Sequence, residues 1–325
     1  MKILRVLLVI ALTVIVSCKK DIPPTVETLA PTLRGATQVI LNGNVLNEGS
    51  SEVSSSGFCW SLRPNPTVAD SIIESSSGPG EFIEVINILP DSVYYSRAYA
   101  TNLAGTAYGN EVTFTTQGLF TGSFTDARDG KSYRWVLIGD QIWMAENLAY
   151  LPSVNPPAEG GYQEPFYYVQ GYDGRSVQAA AATVNYQLYG VLYNWKAMQT
   201  ACPAGWHLPG DAEWVHLEEN LGMARAELEE TGYRNSGKIG RQVKSTSGWY
   251  QEGNGKNSSG LNVLPGGSCN GQGKFGGIGR YATFRTSSAG GSTFNFSRTL
   301  SYDSDGIDRG TAAHYVGVSA RCIKN

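Results

Sequence analysis

The chain has 325 residues, 41% of them hydrophobic and only 16% charged, which excludes a disordered polymer and leaves room for two or three folded domains. Its 25 lysines and arginines against 28 aspartates and glutamates give a net charge of −3, so no nucleic-acid partner is expected. With 39 glycines and 18 tyrosines, the composition points to a turn-rich, β-rich protein with aromatic surface.

The first element in chain order is a targeting segment. Lys2 and Arg5 precede an apolar run from Val6 to Val16, broken only by Thr13. That run is about half the roughly 20 residues a helix needs to cross a bilayer, and it suits a signal-peptide core. The "VIVSC" that ends it resembles a bacterial lipobox, which implies removal of residues 1–17 and lipidation of Cys18. The expected location is the bacterial outer membrane or cell surface, with the membrane as a partner through the N-terminal lipid. Export also favours disulfides. With Cys18 taken, Cys59, Cys202, Cys269 and Cys322 remain, an even number that permits two bridges and requires none.

Residues 18–35 carry three prolines and little periodicity, and read as a lipid-anchored tether. Residues 36–117 alternate in short runs such as "QVILNGNV", separated by turn signals such as "RPNPT". In "VYYSRAYAT", Tyr94, Ser96, Ala98 and Ala100 fall on one strand face, with Tyr95, Arg97, Tyr99 and Thr101 on the other. The spacing Ile88, Pro90, Ser92, Tyr94 resembles the L-x-P-x-T-x-Y signature of fibronectin type III modules. There the tyrosine packs at a corner of the sandwich and bonds the backbone through its hydroxyl. The resemblance covers roughly residues 24–116 and implies an all-β sandwich acting as a spacer. Cys59, on one of its strands, reads as a small buried hydrophobe.

Residues 118–325 form the last domain. "FTDARDGKSYRWVLIGDQIWMAENLAY" (124–150), "YGVLYNWKAM" (189–198), "CPAGWHLPGDAEW" (202–214), "VKSTSGWY" with "GLNVLPGG" (243–267), and "GVSARCIKN" (317–325) stand in that order. Together they are similar to the successive blocks of the Fibrobacter succinogenes major paralogous domain. The resemblance implies an α+β, C-type-lectin-like fold with long irregular loops, and the pattern of two or three short helices, many short strands and a glycine-rich 253–291 agrees. It also implies a disulfide between Cys202 and Cys322, leaving Cys59 and Cys269 reduced. The chain departs from the family at Cys269, where an aromatic is usual, and at Arg285, which stands in a tryptophan place.

The stretch "ACPAGWHLPGDAEW" (201–214) sets a cysteine and a histidine before a helix, which raises the question of a reactive or metal centre. Gly210 or Asp211 caps that helix, Glu213 supplies half of a capping box, and Trp214, Leu217 and Leu221 form its buried stripe. His216 falls on the exposed flank. The chain has no C-x-x-C, H-x-x-x-H or H-x-H spacing, so His207 reads as a packing or hydrogen-bonding residue and no metal is expected.

"GQGKFG" (271–276) matches G-x-G-x-x-G, but "GIGRYATF" after it cannot open a helix, so it reads as a loop and not a dinucleotide site. Asp303, Asp305 and Asp308 surround Gly306 in a calcium-loop manner, without the glutamate or helices of an EF-hand, and read instead as a hairpin turn. With no nucleophile or phosphate-loop motif, neither catalysis nor a cofactor is expected. What remains is flat aromatic and donor-rich surface in the glycine-rich half, from which Trp249, Phe275, Arg280, Tyr281 and Arg285 are the expected ligand contacts. The reading is a surface lipoprotein with a non-catalytic, adhesin-like head for a carbohydrate or protein ligand. The alternative is a structural subunit of a surface appendage or envelope assembly.

Overall fold

A computed structural model describes residues 21–34, 36–75 and 77–325. The signal segment and Cys18 lie outside the described residues. The chain is mostly β-sheet with few, short helices, and no described helix is long and apolar enough to cross a membrane. It divides into two compact units. Among the described residues, one holds 21–29 with Asn42–Glu84 and Tyr95–Val112; the other holds Ala30–Leu41, Val85–Tyr94 and Thr113–Asn325.

Eight strands come first: β1 (Thr25–Arg34), β2 (Gln38–Asn47), β3 (Ser55–Ser61), β4 (Ser71–Glu74), β5 (Gly80–Asn87), β6 (Val93–Asn102), β7 (Gly105–Tyr108) and β8 (Val112–Thr115). They make one sheet in the order β1-β2-β5 and another in the order β4-β3-β6-β7, with β8 also pairing β6. Alternation sets the buried faces: Tyr94, Ser96, Ala98 and Ala100 of β6 are all buried. Phe58 of β3 meets Phe82 of β5 with ring centroids 4.9 Å apart. Gly43 of β2 leaves room for that ring, since a Cβ there would fall 2.7 Å from Phe82. Cys59 is buried and reduced, and burial pushes its thiol up to about 11, so it is inert at neutral pH.

The tether is shorter than its prolines imply. Thr25–Arg34 is a strand because Val26 and Thr28 alternate inward, and the Thr28 hydroxyl accepts the Ala98 N–H at 2.9 Å. Pro31 is tolerated because β1 lies at a sheet edge, where a missing N–H costs little.

The rest of the chain adds β9 (Thr121–Thr125), β10 (Ser132–Ile138), β11 (Gln141–Met144), β12 (Tyr167–Tyr168), β13 (Leu192–Tyr193), β14 (Trp206–His207) and β15 (Gly232–Arg234). Then follow β16 (Ser268–Cys269), β17 (Phe275–Gly276), β18 (Tyr281–Ala289), β19 (Phe294–Ser301), β20 (Ile307–Ala313), β21 (Val318–Ser319) and β22 (Ile323–Lys324). A five-stranded sheet runs β14-β22-β11-β10-β9, and a seven-stranded sheet runs β12-β13-β21-β18-β19-β20-β15. β16 and β17 form a small hairpin, and "NGQGK" (270–274) is its loop, with Asn270 Oδ1 accepting the N–H groups of Gln272 and Lys274.

Among the described residues there are five α-helices where two or three were expected: α1 (Val177–Ala181), α2 (Val184–Tyr189), α3 (Trp195–Met198), α4 (Asp211–Asn220) and α5 (Ile239–Val243). The first three are too short to show an amphipathic period. Each instead starts on a side-chain cap, with Ser176, Thr183 and Asn194 accepting N–H groups three residues on. α4 buries Trp214, Leu217 and Leu221 as one stripe, against a core that includes Trp143, Phe284, Leu300 and Ile307. Trp214 stands edge-on to Trp143 at 4.8 Å.

Candidate ligand-binding face

The stretch before α4 is architecture. Cys202 is bridged to Cys322 with Cα atoms 5.9 Å apart, which ties the loop leading to the helix to the last strand. His207 places Nε2 2.8 Å from Glu213 Oε1 and Nδ1 2.7 Å from Asn325 Oδ1. Gly210 is the N-cap, and its N–H donates to Glu213 Oε2 at 2.7 Å, so half of the capping box survives without a side chain at the cap.

The acidic loop after β19 does not gather its carboxylates. Asp303 accepts from the Ser301 hydroxyl, Asp305 lies 3.5 Å from Arg241, and Asp308 belongs to β20. A second cation at this loop is Lys244, whose buried ammonium donates to the carbonyls of Ser301 at 3.1 Å and Ser304 at 2.9 Å. No group of three His, Cys, Asp or Glu is placed to hold a metal among the described residues.

On its inner side the seven-stranded sheet carries charge into the core. Glu218, on the buried stripe of α4, takes both Nη atoms of Arg234 at 2.8 Å and Nε of Arg298 at 2.6 Å. Asp211 takes Arg298 at 2.7 Å and Arg309 at 2.6 Å. Burial alone would raise the Asp211 carboxyl, but hydrogen bonds from Arg309 and Arg298 outweigh it and hold it below the usual range. This network was not legible from sequence, since a glutamate at Glu218 reads as solvated surface.

On its outer side the same sheet presents a straight row across four strands. Thr283 of β18 faces Thr299 of β19, Thr299 faces Asp308 of β20, and Asp308 faces Tyr233 of β15. The two threonine hydroxyls are 3.1 Å apart. Tyr281 stands two residues from Thr283, hence on the same face, and is 40% exposed; Tyr233 closes the far end at 48%. Asp308 is half-buried, and burial lifts its carboxyl above the ordinary value against the pull of Arg234 and Arg298. Tyr233 reaches back across the row to the Ser301 side chain, so two aromatic rings, two threonine hydroxyls and a carboxylate share this face. Such a surface can stack a ring and accept or donate hydrogen bonds along it.

The five expected contacts divide. Tyr281 is on this face. Arg280 is exposed but points the other way, its guanidinium 4.0 Å from the Tyr250 ring and 5.4 Å from that of Tyr302. A turn at Gly277 and Gly279, both with positive φ, sets it there. Tyr250 N–H donates to Gly279 O at 2.8 Å and Tyr302 N–H to Arg280 O at 2.9 Å, so backbone bonds assemble the cluster.

Trp249 is a correction. It is 5% exposed, and its indole N–H donates to Ser245 Oγ at 3.1 Å and Val263 O at 3.2 Å, which makes it core. Arg285 is a second correction. It shares the face of Tyr281 and Thr283 but is covered by the 312–316 turn and is 1% exposed. Its guanidinium donates to Ala312 O and Ala313 O at 2.8 Å and to Val316 O at 2.7 Å. Phe275 is half-buried on β17 against Tyr168, Leu192 and Cys269 and does not join the row. Tyr233, Thr283 and Thr299 were not singled out in the sequence, and Asp308, read there as part of a turn, lies on β20. The signal was present in the dipeptides Tyr233-Arg234, Arg298-Thr299 and Asp308-Arg309, where one member of each strand pair turns inward and the other outward.

The family model described as the Fibrobacter succinogenes major domain matches residues 136–324. No curated protein matches the chain. Among solved structures, the sensor domain of the anti-sigma factor RsgI4 in Pseudobacteroides cellulosolvens is 17% identical over 30% of this chain and 97% of that one, with a TM-score of 0.24. That likeness is too slight to carry an argument about fold or function.

Proposed function

The chain belongs to the Fibrobacter succinogenes major domain family, and we propose that it is a surface lipoprotein whose terminal domain is a non-catalytic head binding carbohydrate. The observation that carries the reading is the row Tyr281, Thr283, Thr299, Asp308, Tyr233 on an exposed sheet face. Sugars offer flat C–H faces to aromatic rings and hydroxyls to a carboxylate, and this row supplies both kinds of partner. A carboxylate held in a half-buried place without an arginine of its own is suited to accept ligand hydroxyls.

Two features support the finer fold readings. The sheet orders β1-β2-β5 and β4-β3-β6-β7, with the Tyr94 hydroxyl accepting the Leu89 N–H at 3.0 Å, favour a fibronectin type III-like spacer. The Cys202–Cys322 bridge, with β22 seated between β14 and β11, favours a C-type-lectin-like head closed at its termini.

The test is a glycan screen of the soluble mature protein beside Tyr233→Ala and Tyr281→Ala. Retention of a glycan by the parent and its loss in both variants is the expected result. Filaments or defined oligomers of the mature protein, with no glycan retained, would instead favour the appendage-subunit reading. For the anchor, Cys18→Ala should release the protein from the membrane fraction, and intact mass should find lipid on the parent only.

A further inference from the structure

A second polar recess lies away from the sheet face. A cleft of about 190 Å³ opens between the start of β10, the segment after β11, and α2. Arg321 lines it and is fully buried. Its guanidinium is held by neutral oxygens: Asn147 Oδ1 at 3.1 Å, Met144 O at 3.2 Å, Asn262 O at 3.1 Å, and Leu261 O. Burial pulls its pKa down to about 9, with Glu146 drawing it up and Arg134 pressing it down. A buried cation held by neutral groups alone is costly, and an arriving anion would offset that cost.

The remaining charges do not cancel it. Glu146 lies 3.2 Å from Arg134 Nε and also accepts the Arg134 backbone N–H at 3.0 Å, so its charge is engaged at the mouth. Lys131 rests its ammonium 4.9 Å from the Tyr186 ring centroid and makes no ion pair among the described residues. Lys131, Arg134 and Arg321 therefore meet a single carboxylate in the cleft. Between them the walls are part amide and hydroxyl, from Ser132, Gln187 and Asn262, and part apolar, from Tyr186, Leu188 and Leu264, as the two faces of a sugar ring require.

We propose that this cleft binds a carboxylate-bearing sugar residue, its acid group directed to Lys131 and Arg321 and its hydroxyls to the amide walls. Four of the five Arg321 N–H groups are already taken, so Arg321 offers an arriving carboxylate its charge and one Nη2 N–H, and the Lys131 ammonium is the other donor. The size suits one ring and is below the range of larger organic ligands. Neutral donors and acceptors around the cations favour a polyhydroxylated acid over a bare anion or an acidic peptide. The site shares no residue with the tyrosine row, so it stands or falls apart from the proposal made there.

The experiment titrates the soluble mature protein with D-glucuronate, D-glucose, N-acetyl-aspartate and inorganic phosphate, following amide NMR signals of the cleft. Glucuronate should give saturable shifts at Lys131, Gln187 and Asn262, while the other three give weak or none. Lys131→Gln should reduce glucuronate affinity about tenfold, with the thermal midpoint as a control for folding. Lys131 is chosen over Arg321 because it is only half-buried and its loss leaves the core intact. Absence of saturation with glucuronate overturns the site. Equal binding of glucose removes the role of charge, equal binding of phosphate removes the sugar, and equal binding of N-acetyl-aspartate reassigns the cleft to acidic peptide.

Discussion

The two sides of one sheet treat the same residue types in opposite ways. Tyr233 and Arg234, Thr299 and Arg298, and Asp308 and Arg309 are neighbours in sequence, yet each arginine points into the core and each partner points to the outer row. Inside, every carboxylate is locked: Glu218 and Asp211 between them hold three arginines. Outside, Asp308 makes no ion pair among the described residues. Strand alternation, and no difference in composition, separates architecture from available chemistry.

The largest effect should come from breaking the inner side. Glu218→Gln removes the charge shared by Arg234 and Arg298 where all three side chains are buried, and should cost about 3–5 kcal/mol. Denaturant unfolding of the parent and variant reads this directly, and a change under 1 kcal/mol would mean the network is not what fixes α4 to the sheet. Next comes the bridge. Cys202→Ala with Cys322→Ala opens a loop with a sequence separation of 120 and should cost about 2–4 kcal/mol. Cys59 and Cys269, both buried, should stay unmodified by alkylating agents until the protein unfolds.

The outer side should answer with binding and not with stability. Tyr233→Ala and Tyr281→Ala should each weaken glycan binding by about 1–3 kcal/mol and move folding stability by no more than about 0.5 kcal/mol. Calorimetric titration beside thermal melts separates the two quantities. A large loss of stability would place these rings in the fold and not on a contact face.

Much of the frame was legible. The stripe Trp214, Leu217 and, at the helix C-cap, Leu221 followed from periodicity, as did the shared strand face of Tyr94, Ser96, Ala98 and Ala100. Alternation did not say which face is buried, and Tyr99 of the opposite face is buried too. The contact set was less so. Trp249 and Tyr250 are adjacent and only one can face the core; the turn through residues 250–252 decides which, and no period spans it. Arg285 has the parity of an exposed residue but is roofed by a turn far along the chain. Glu218 gives no signal in the sequence, because its partners Arg234 and Arg298 meet it only once β15 and β19 are joined through β20.

Titration sharpens the same contrast. Asp308 has a raised carboxyl in the folded protein, so its contribution is full below the ordinary value of about 4 and is lost as pH rises through the folded value. Asp211 has the opposite sign: its contribution is present above about pH 4 and is lost as pH falls through its lowered value. Asp308→Asn should therefore be more stable than the parent at pH 7 and match it near pH 3, while weakening glycan binding. Melts across that range with a binding curve at pH 7 check both halves. An Asp308→Asn protein that is destabilised at neutral pH would show that the carboxylate is a structural acceptor.

The smallest effect belongs to His207, which links the end of the chain to the start of α4. Burial would lower its pKa, but hydrogen bonds to Glu213 and Asn325 win, and the ring titrates above its ordinary value of about 6.5. A raised histidine contributes fully below that ordinary value, and its share is lost as pH rises through the folded one. The pair is open to water, with the His207 side chain 41% exposed, so screening should keep its worth to no more than about 0.5 kcal/mol. His207→Gln should then lie slightly below the parent at pH 5.5 and meet it near pH 8.5. A gap that stays constant over this interval would mean that the ring acts by packing under α4 and that its charge contributes nothing.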